Sequence, residues 1–301
     1  MRTDIDLTGM PRAPLEGSFL RCYRYMSGYW EEALRDCRLK LSAAVDFNDV
    51  FDCSGICTGE FSEEAIKAHL GDGFSQLQCG DALLPDIRRR YSECIKDRFL
   101  ERAMFRLPQI LCFSIPETKE ADALMWSHYG NKWKGVRLGF DLLFENHRQV
   151  TYDTTSPYAL SHVRYSKQRP VLDLSKIEDI GEDPLYSRYF YEMVSTKSEA
   201  WHYENEWRLF CDEPYSIEEN GMRFWKFHNA LLQTIDLGPN IDIGQQERLI
   251  GFSKEFFPHV AVRKVSMSSS ESEYDFKYCP LVDPRIQVQA KSTFKILAPP
   301  K

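Results

Sequence analysis

Trp201-His202-Tyr203-Glu204-Asn205-Glu206-Trp207-Arg208 sets two carboxylates two residues apart inside an aromatic run. Aromatic density of this kind favours a β-strand. Side chains alternate across a strand, so Glu204 and Glu206 are expected on one face with His202 and Arg208. Trp201, Tyr203, Trp207 and Leu209 then take the other face and suit burial. Like charges this close cost energy unless cations, water or a substrate compensate them.

Upstream of this segment, residues 184–199 predict a helix after Pro184, and further back Lys134 to Phe140 predicts a strand. Ala121 to Tyr129 reads as a short helix stopped by Gly130-Asn131, and Gln109 to Ser114 as a buried strand between Pro108 and Pro116. Phe61 to Phe105 is mainly helical, with Ser62 as a cap and Gly71-Asp72-Gly73 as a breaker. The start of the chain predicts a strand over Phe19–Tyr25, a helix over Tyr29–Cys37 and a short strand over Arg38–Ser42. Beyond residue 225, Leu231–Leu237 and Ala261–Met267 are strand-like, a helix surrounds Gln245–Phe256, and Ser268–Ser272 is a loop tip. Short strands interleave with helices without regular βαβ spacing, so the expected class is mixed α+β. The expected organisation is an N-terminal arm over residues 1–17, one α+β domain over 18–285 with a helical insertion at about 60–107, and a tail over 286–301.

With 301 residues, 43% of them hydrophobic, the chain can bury a sizeable core. Its 38 basic and 45 acidic residues give a net charge of −7, which argues against an indiscriminate nucleic-acid coat but allows a local basic groove. The opening residues Met1-Arg-Thr-Asp-Ile-Asp are polar rather than an apolar leader, and no apolar stretch approaches the roughly 20 residues that span a bilayer. Nine scattered cysteines suit reduced thiols, so a cytoplasmic setting without membrane partners is expected. Cys53 and Cys57 have no His or Cys pair at zinc spacing, so no metal site is expected there.

Several blocks together resemble a bacterial family of uncharacterised proteins. They are Tyr23-Arg24-Tyr25, Phe47-Asn48-Asp49-x-Phe51, Leu111-Cys112-Phe113-Ser114, Met125-Trp126-Ser127-His128-Tyr129, Lys134-Gly135-Val136 leading to Gly139-Phe140-Asp141, and Lys197 with Trp201-x-Tyr203-Glu204-x-Glu206-Trp207-Arg208. Such sequences usually carry Pro after the Asn-Asp pair, where this chain has Val50. The layout also resembles, more distantly, the ADP-ribosyltransferases: an early strand with a basic residue, a middle strand ending in Ser and a late Glu-x-Glu strand. That resemblance implies a mixed, mainly antiparallel sheet core, NAD as substrate, and Arg24, Ser114 and Glu206 as the matching positions.

On this reading Glu206 stabilises the positive charge that develops on ribose as the nicotinamide bond breaks, and Glu204 accepts a proton from the acceptor. Arg24, facing Glu206 across a dinucleotide cleft, suits the pyrophosphate, and Tyr25 stands beside it. Tyr129 or Trp126 is a candidate for stacking on nicotinamide, His128 for stacking on the cofactor or donating to it, and Ser114 for holding the ribose or a neighbouring Glu. The acceptor would be a nucleic acid or a protein, and a toxin or phage-defence role would call for a neutralising partner. Plainer readings stand beside each assignment. Arg208 pairs with Glu204 or Glu206, Trp126 and Tyr129 pack a core, His128 is a satisfied buried histidine, and Asn48-Asp49 makes a turn. Arg88-Arg89-Arg90 is a solvated helix face or a phosphate patch. A metal-dependent hydrolase using His128, His202, Glu204, Glu206 and Asp49 remains an alternative, as does a recognition module built on Tyr186–Tyr191 and Phe224–His228.

Overall fold

The computed structural model describes residues 18–73, 85–106, 109–144, 159–181, 184–211, 216–267 and 275–282. The expected arm over 1–17, the Ser268–Ser272 tip and the tail over 286–301 lie outside them. The chain divides into two compact units. One comprises Met1–Leu41, Leu111–Ser161 and Tyr203–Lys301, and the other Ser42–Ile110 with His162–His202.

The strands of the first unit are β1 (Ser18–Met26), β2 (Arg38–Lys40), β4 (Ile110–Ser114), β5 (Val136–Phe144), β6 (Ala159–His162), β10 (Glu206–Phe210), β11 (Ser216–Glu219), β12 (Met222–Lys226), β13 (Leu232–Leu237), β14 (Ala261–Met267) and β15 (Phe276–Val282). Eight of them form one sheet in the order β15-β14-β13-β5-β1-β4-β10-β6, and β11-β12-β2 form a smaller one. The large sheet is mainly antiparallel, as expected of the α+β class. Its long central pair runs in register from Ser18↔Phe144 to Met26↔Val136. The parallel pair β13–β14 is joined by a helix over Ile243–Phe256, since parallel neighbours need a crossover.

Alternation explains the core. Val136, Leu138, Phe140 and Leu142 on β5 are fully buried, and they meet Cys22, Met26, Phe113, Leu209, Ile235, Trp225 and Phe227 in the main cluster. The opposite face of the sheet packs Tyr25, Val265 and Phe276 against Met125 and Trp126 of a helix over Lys119–His128. Thr118 caps that helix by accepting from the Ala121 amide. Gly139 is required on β5, because a Cβ there would lie 2.3 Å from Thr234 Oγ1.

The second unit holds helices over Glu63–Leu70, Pro85–Arg106 and Pro184–Ser195, with two strand pairs, β3 (Ile56–Thr58) on β8 (Val171–Asp173) and β7 (Arg164–Ser166) on β9 (Thr196–Ser198). Ser62 caps the first helix through the Ala65 amide at 3.0 Å, and Gly71 ends it at φ 53°. Of the stretch expected to be helical at about 60–107, the described residues carry the helices Glu63–Leu70 and Pro85–Arg106, and residues 74–84 and 107 lie outside them. Phe61, Ile66, Leu172, Leu174, Tyr189 and Met193 form the second unit's own core.

One strand expectation fails. Glu199–Glu204 is a 3-10 helix, Asn205 is left-handed at φ 40°, and β10 begins only at Glu206. Aromatic strand propensity is overridden by tertiary contacts, because Ser114 Oγ donates to the Glu204 carbonyl and Tyr203 lies against His128.

Candidate functional site

On β10, Trp207, Leu209 and the following Cys211 pack towards the main core, so alternation turns Glu206 and Arg208 to the opposite face. Both are buried. Arg208 Nε lies 2.8 Å and Nη2 3.4 Å from the two Glu206 oxygens. The plainer reading of Arg208, a partner for the late-strand carboxylate, is therefore what the fold contains. It also compensates the Glu206 charge, since a buried carboxylate without a cation is costly.

Cys112 on neighbouring β4 lies beside this pair. Burial pushes its thiol well above the ordinary range, Glu206 adds to the rise, and Arg208 and Arg24 oppose it. Arg24 donates from Nη1 to the Cys112 carbonyl at 2.8 Å. Its register partner is Leu138, and alternation places it on the face of Cys22 and Met26. Arg24 thus does not stand across a cleft on the face of Glu206. β1 and β10 are separated by β4, which sets their backbones roughly 10 Å apart, and the charge of Arg24 reaches Cys112 from the sheet plane.

Glu204, at the end of the 3-10 helix, is also buried, and its Oε1 accepts from the Tyr129 hydroxyl at 2.6 Å. The two acids do not alternate along one strand as expected: Glu206 opens β10 with Arg208 on its carboxylate, and Glu204 closes the preceding 3-10 helix with the Tyr129 hydroxyl on its own. Ser114, paired with Tyr23 across β1 and β4, is buried and ties β4 to the Glu204 backbone.

His128 is exposed at the end of its helix, with rings of Tyr203 and Tyr129 each 6.2 Å away, so it is not the buried histidine of the plainer reading. Trp126 is core: fully buried, stacked on Trp133 and donating to the Tyr278 hydroxyl at 2.9 Å. Tyr25 is buried and donates to Asp122, so it stands in a structural network rather than at an open cleft. In the second unit, exposed His202 lies against Tyr165, while Asp49 accepts from the Phe51 amide at 2.9 Å as the turn reading predicts. Arg88 and Arg89 pair with Glu60 and Asp86, as a solvated helix face does. Tyr189, Trp225 and Phe227 are core.

Sequence reasoning missed two buried charge clusters. Arg137 bridges Asp236 at 2.7 Å and Asp122 at 3.2 Å, while its guanidinium lies 4.1 Å from the Tyr23 ring centre and 4.2 Å from that of Tyr278. Burial opposes the Arg137 charge, but Asp236, Tyr25, Tyr278 and Asp122 outweigh it and hold its pKa well above the ordinary value. Arg263 also grips Asp236, at 2.6 Å. In the second unit Lys197 and Asp52, both buried, lie 3.5 Å apart, with Trp201 under the ammonium at 5.3 Å. For the first cluster the available signal was a lone charge inside an apolar strand, as in Val136-Arg137-Leu138 and Ile235-Asp236-Leu237.

Among the described residues no group of three or more His, Cys, Asp and Glu side chains is placed to hold a metal ion. None of their helices is long and apolar enough to cross a membrane. A family described as a protein of unknown function, DUF2971, matches residues 125–209. That span runs from Met125 and Trp126 through Tyr129 and the Arg137 strand to Arg208, and so takes in both carboxylates. No curated protein and no solved structure matches the chain.

Proposed function

We propose that this chain is an ADP-ribosyltransferase that cleaves NAD between nicotinamide and ribose and passes the ADP-ribosyl group to a macromolecule. The supporting observation is topological. Arg24, Ser114 and Glu206, separated by about ninety residues at each step of the sequence, lie on the three consecutive neighbours β1, β4 and β10.

The bond from ribose C1′ to the nicotinamide nitrogen breaks, and its electron pair leaves with neutral nicotinamide. Positive charge grows on the ribose ring as it departs. A carboxylate about 4 Å away attracts that charge by about 4 kcal/mol at an effective dielectric near 20. Acting mainly in the transition state, this is worth roughly a thousandfold in rate. Glu206 is fixed for that task by Arg208, whose guanidinium also tempers its charge. Glu204 accepts the proton lost by the acceptor, with the Tyr129 hydroxyl orienting it. Tyr203 and exposed His128 form the aromatic border of the site. An activity that marks the cell's own macromolecules calls for a neutralising partner, which fits a toxin or phage-defence role.

The test is incubation of purified protein with NAD labelled in the adenylate, together with total RNA or lysate. Glu206→Gln and Glu204→Gln are compared with wild type after thermal melts confirm that each folds. Label in RNA or protein should fall at least a hundredfold in Glu206→Gln. Equal label in folded wild type and Glu206→Gln, or label in neither, overturns the proposal.

A further inference from the structure

The residue between the two acids has a conformation of its own. Asn205 is left-handed at φ 40°, a region that asparagine enters more readily than most residues. Its carbonyl accepts from the Ile115 amide at 3.2 Å. Its side-chain amide donates to the Ile115 carbonyl at 2.9 Å and to Glu117 Oε1 at 3.1 Å. Asn205 therefore grips Ile115, the residue that follows β4, through both its main chain and its side chain.

The left-handed step lies between the acids. In an unbroken strand, positions 204 and 206 would point to one face with side chains close together. Here the step ends the 3-10 helix at Glu204, whose carboxylate reaches Tyr129, and starts β10 at Glu206, whose carboxylate meets Arg208. The amide donors then tie the step to the end of β4, which carries Cys112 beside Glu206 and Ser114 beside the Glu204 backbone.

We propose that Asn205 is a positioning residue, which sets Glu204 and Glu206 in their two settings by combining left-handed backbone with a clamp on Ile115. This rests on the carboxylate roles given above and adds the group that places them. No other common residue supplies both halves. Glycine adopts the backbone freely but lacks the donors, whereas aspartate tolerates the backbone but presents a carboxylate to the Ile115 carbonyl and to Glu117.

Asn205→Gly and Asn205→Asp test it with two independent readouts. The first is the titration of the Glu204 and Glu206 carboxyl carbons by NMR, in glutamate-labelled protein assigned through Glu204→Gln and Glu206→Gln. Both Asn205 variants should melt within a few degrees of wild type yet shift the midpoint or chemical shift of at least one carboxyl. The second readout is NAD cleavage, where kcat should fall by about tenfold or more in Asn205→Gly with KM nearly unchanged. Carboxyl titrations of Asn205→Gly that overlay those of wild type overturn the proposal, as does unaltered kcat in an active enzyme. Shifted carboxyls with no NAD cleavage even in wild type would sink the transferase reading and leave the positioning role of Asn205 standing.

Discussion

Replacing Arg137 by Met removes a cation shared by two carboxylates at the centre of the large sheet. The Arg137 side chain is 4% exposed and that of Asp236 is 0% exposed, so water compensates neither. Breaking a buried pair by deleting one partner costs about 3–5 kcal/mol. The guanidinium also loses its place between the rings of Tyr23 and Tyr278, a contact worth about 2 kcal/mol when desolvated. Two features offset part of this loss. Arg263 still holds Asp236, and the hydroxyls of Tyr25 and Tyr278 still donate to Asp122. The expected loss for Arg137→Met is therefore about 4 kcal/mol, a large share of the roughly 5–15 kcal/mol by which domains are stable. Arg137→Lys keeps the charge without the fork or the double stacking and should lose about 2 kcal/mol. Adding Asp122→Asn to Arg137→Met removes a stranded charge and should recover about 1–2 kcal/mol. Urea denaturation provides the measurement, read as the shift of the midpoint at constant slope. A loss under about 1 kcal/mol for Arg137→Met, or no recovery in the double variant, would refute the assignment of this network as a coupled buried ion cluster.

Three further outcomes follow from particular side chains. Thr234 Oγ1 is buried without a hydrogen-bond partner, so Thr234→Val, nearly equal in shape, should leave urea stability unchanged or raise it by up to about 1 kcal/mol; a loss beyond that would mean the hydroxyl is bonded. Lys197→Met should destabilise by about 3 kcal/mol and alter Trp201 fluorescence, with Asp52→Asn on top restoring part of the loss, whereas a neutral Lys197→Met would show the pair to be inconsequential. Burial raises the Cys22 and Cys112 thiols and the Tyr25 and Tyr278 phenols above their ordinary values of 9.0 and 10.0. Folded protein thus keeps protons that the unfolded chain releases, so this contribution is complete below the unfolded values and fades as pH rises past them. Urea midpoints should fall steadily between about pH 8 and 11, and a flat profile with tyrosinate absorbance complete near pH 10 would contradict it.

Local pattern and chemistry determined the α+β class, the Ser62 cap, the helix ending near Tyr129 and the strand over Ala261–Met267, because periodicity and end signals act over a few residues. The pairing of a late-strand acid with Arg208 was also readable, since i and i+2 share a strand face. Only the tertiary structure decided that Glu204 leaves that strand, because the Ser114 and Tyr129 contacts come from segments some 75 to 90 residues away in the chain. It alone put Arg24 on the core face, through register with Leu138. It alone gathered Arg137, Asp122 and Asp236, three buried charges that compensate one another with support from Arg263, Tyr25 and Tyr278. A sequence displays each charge by itself, whereas the free energy of burying it depends on partners that folding brings from afar.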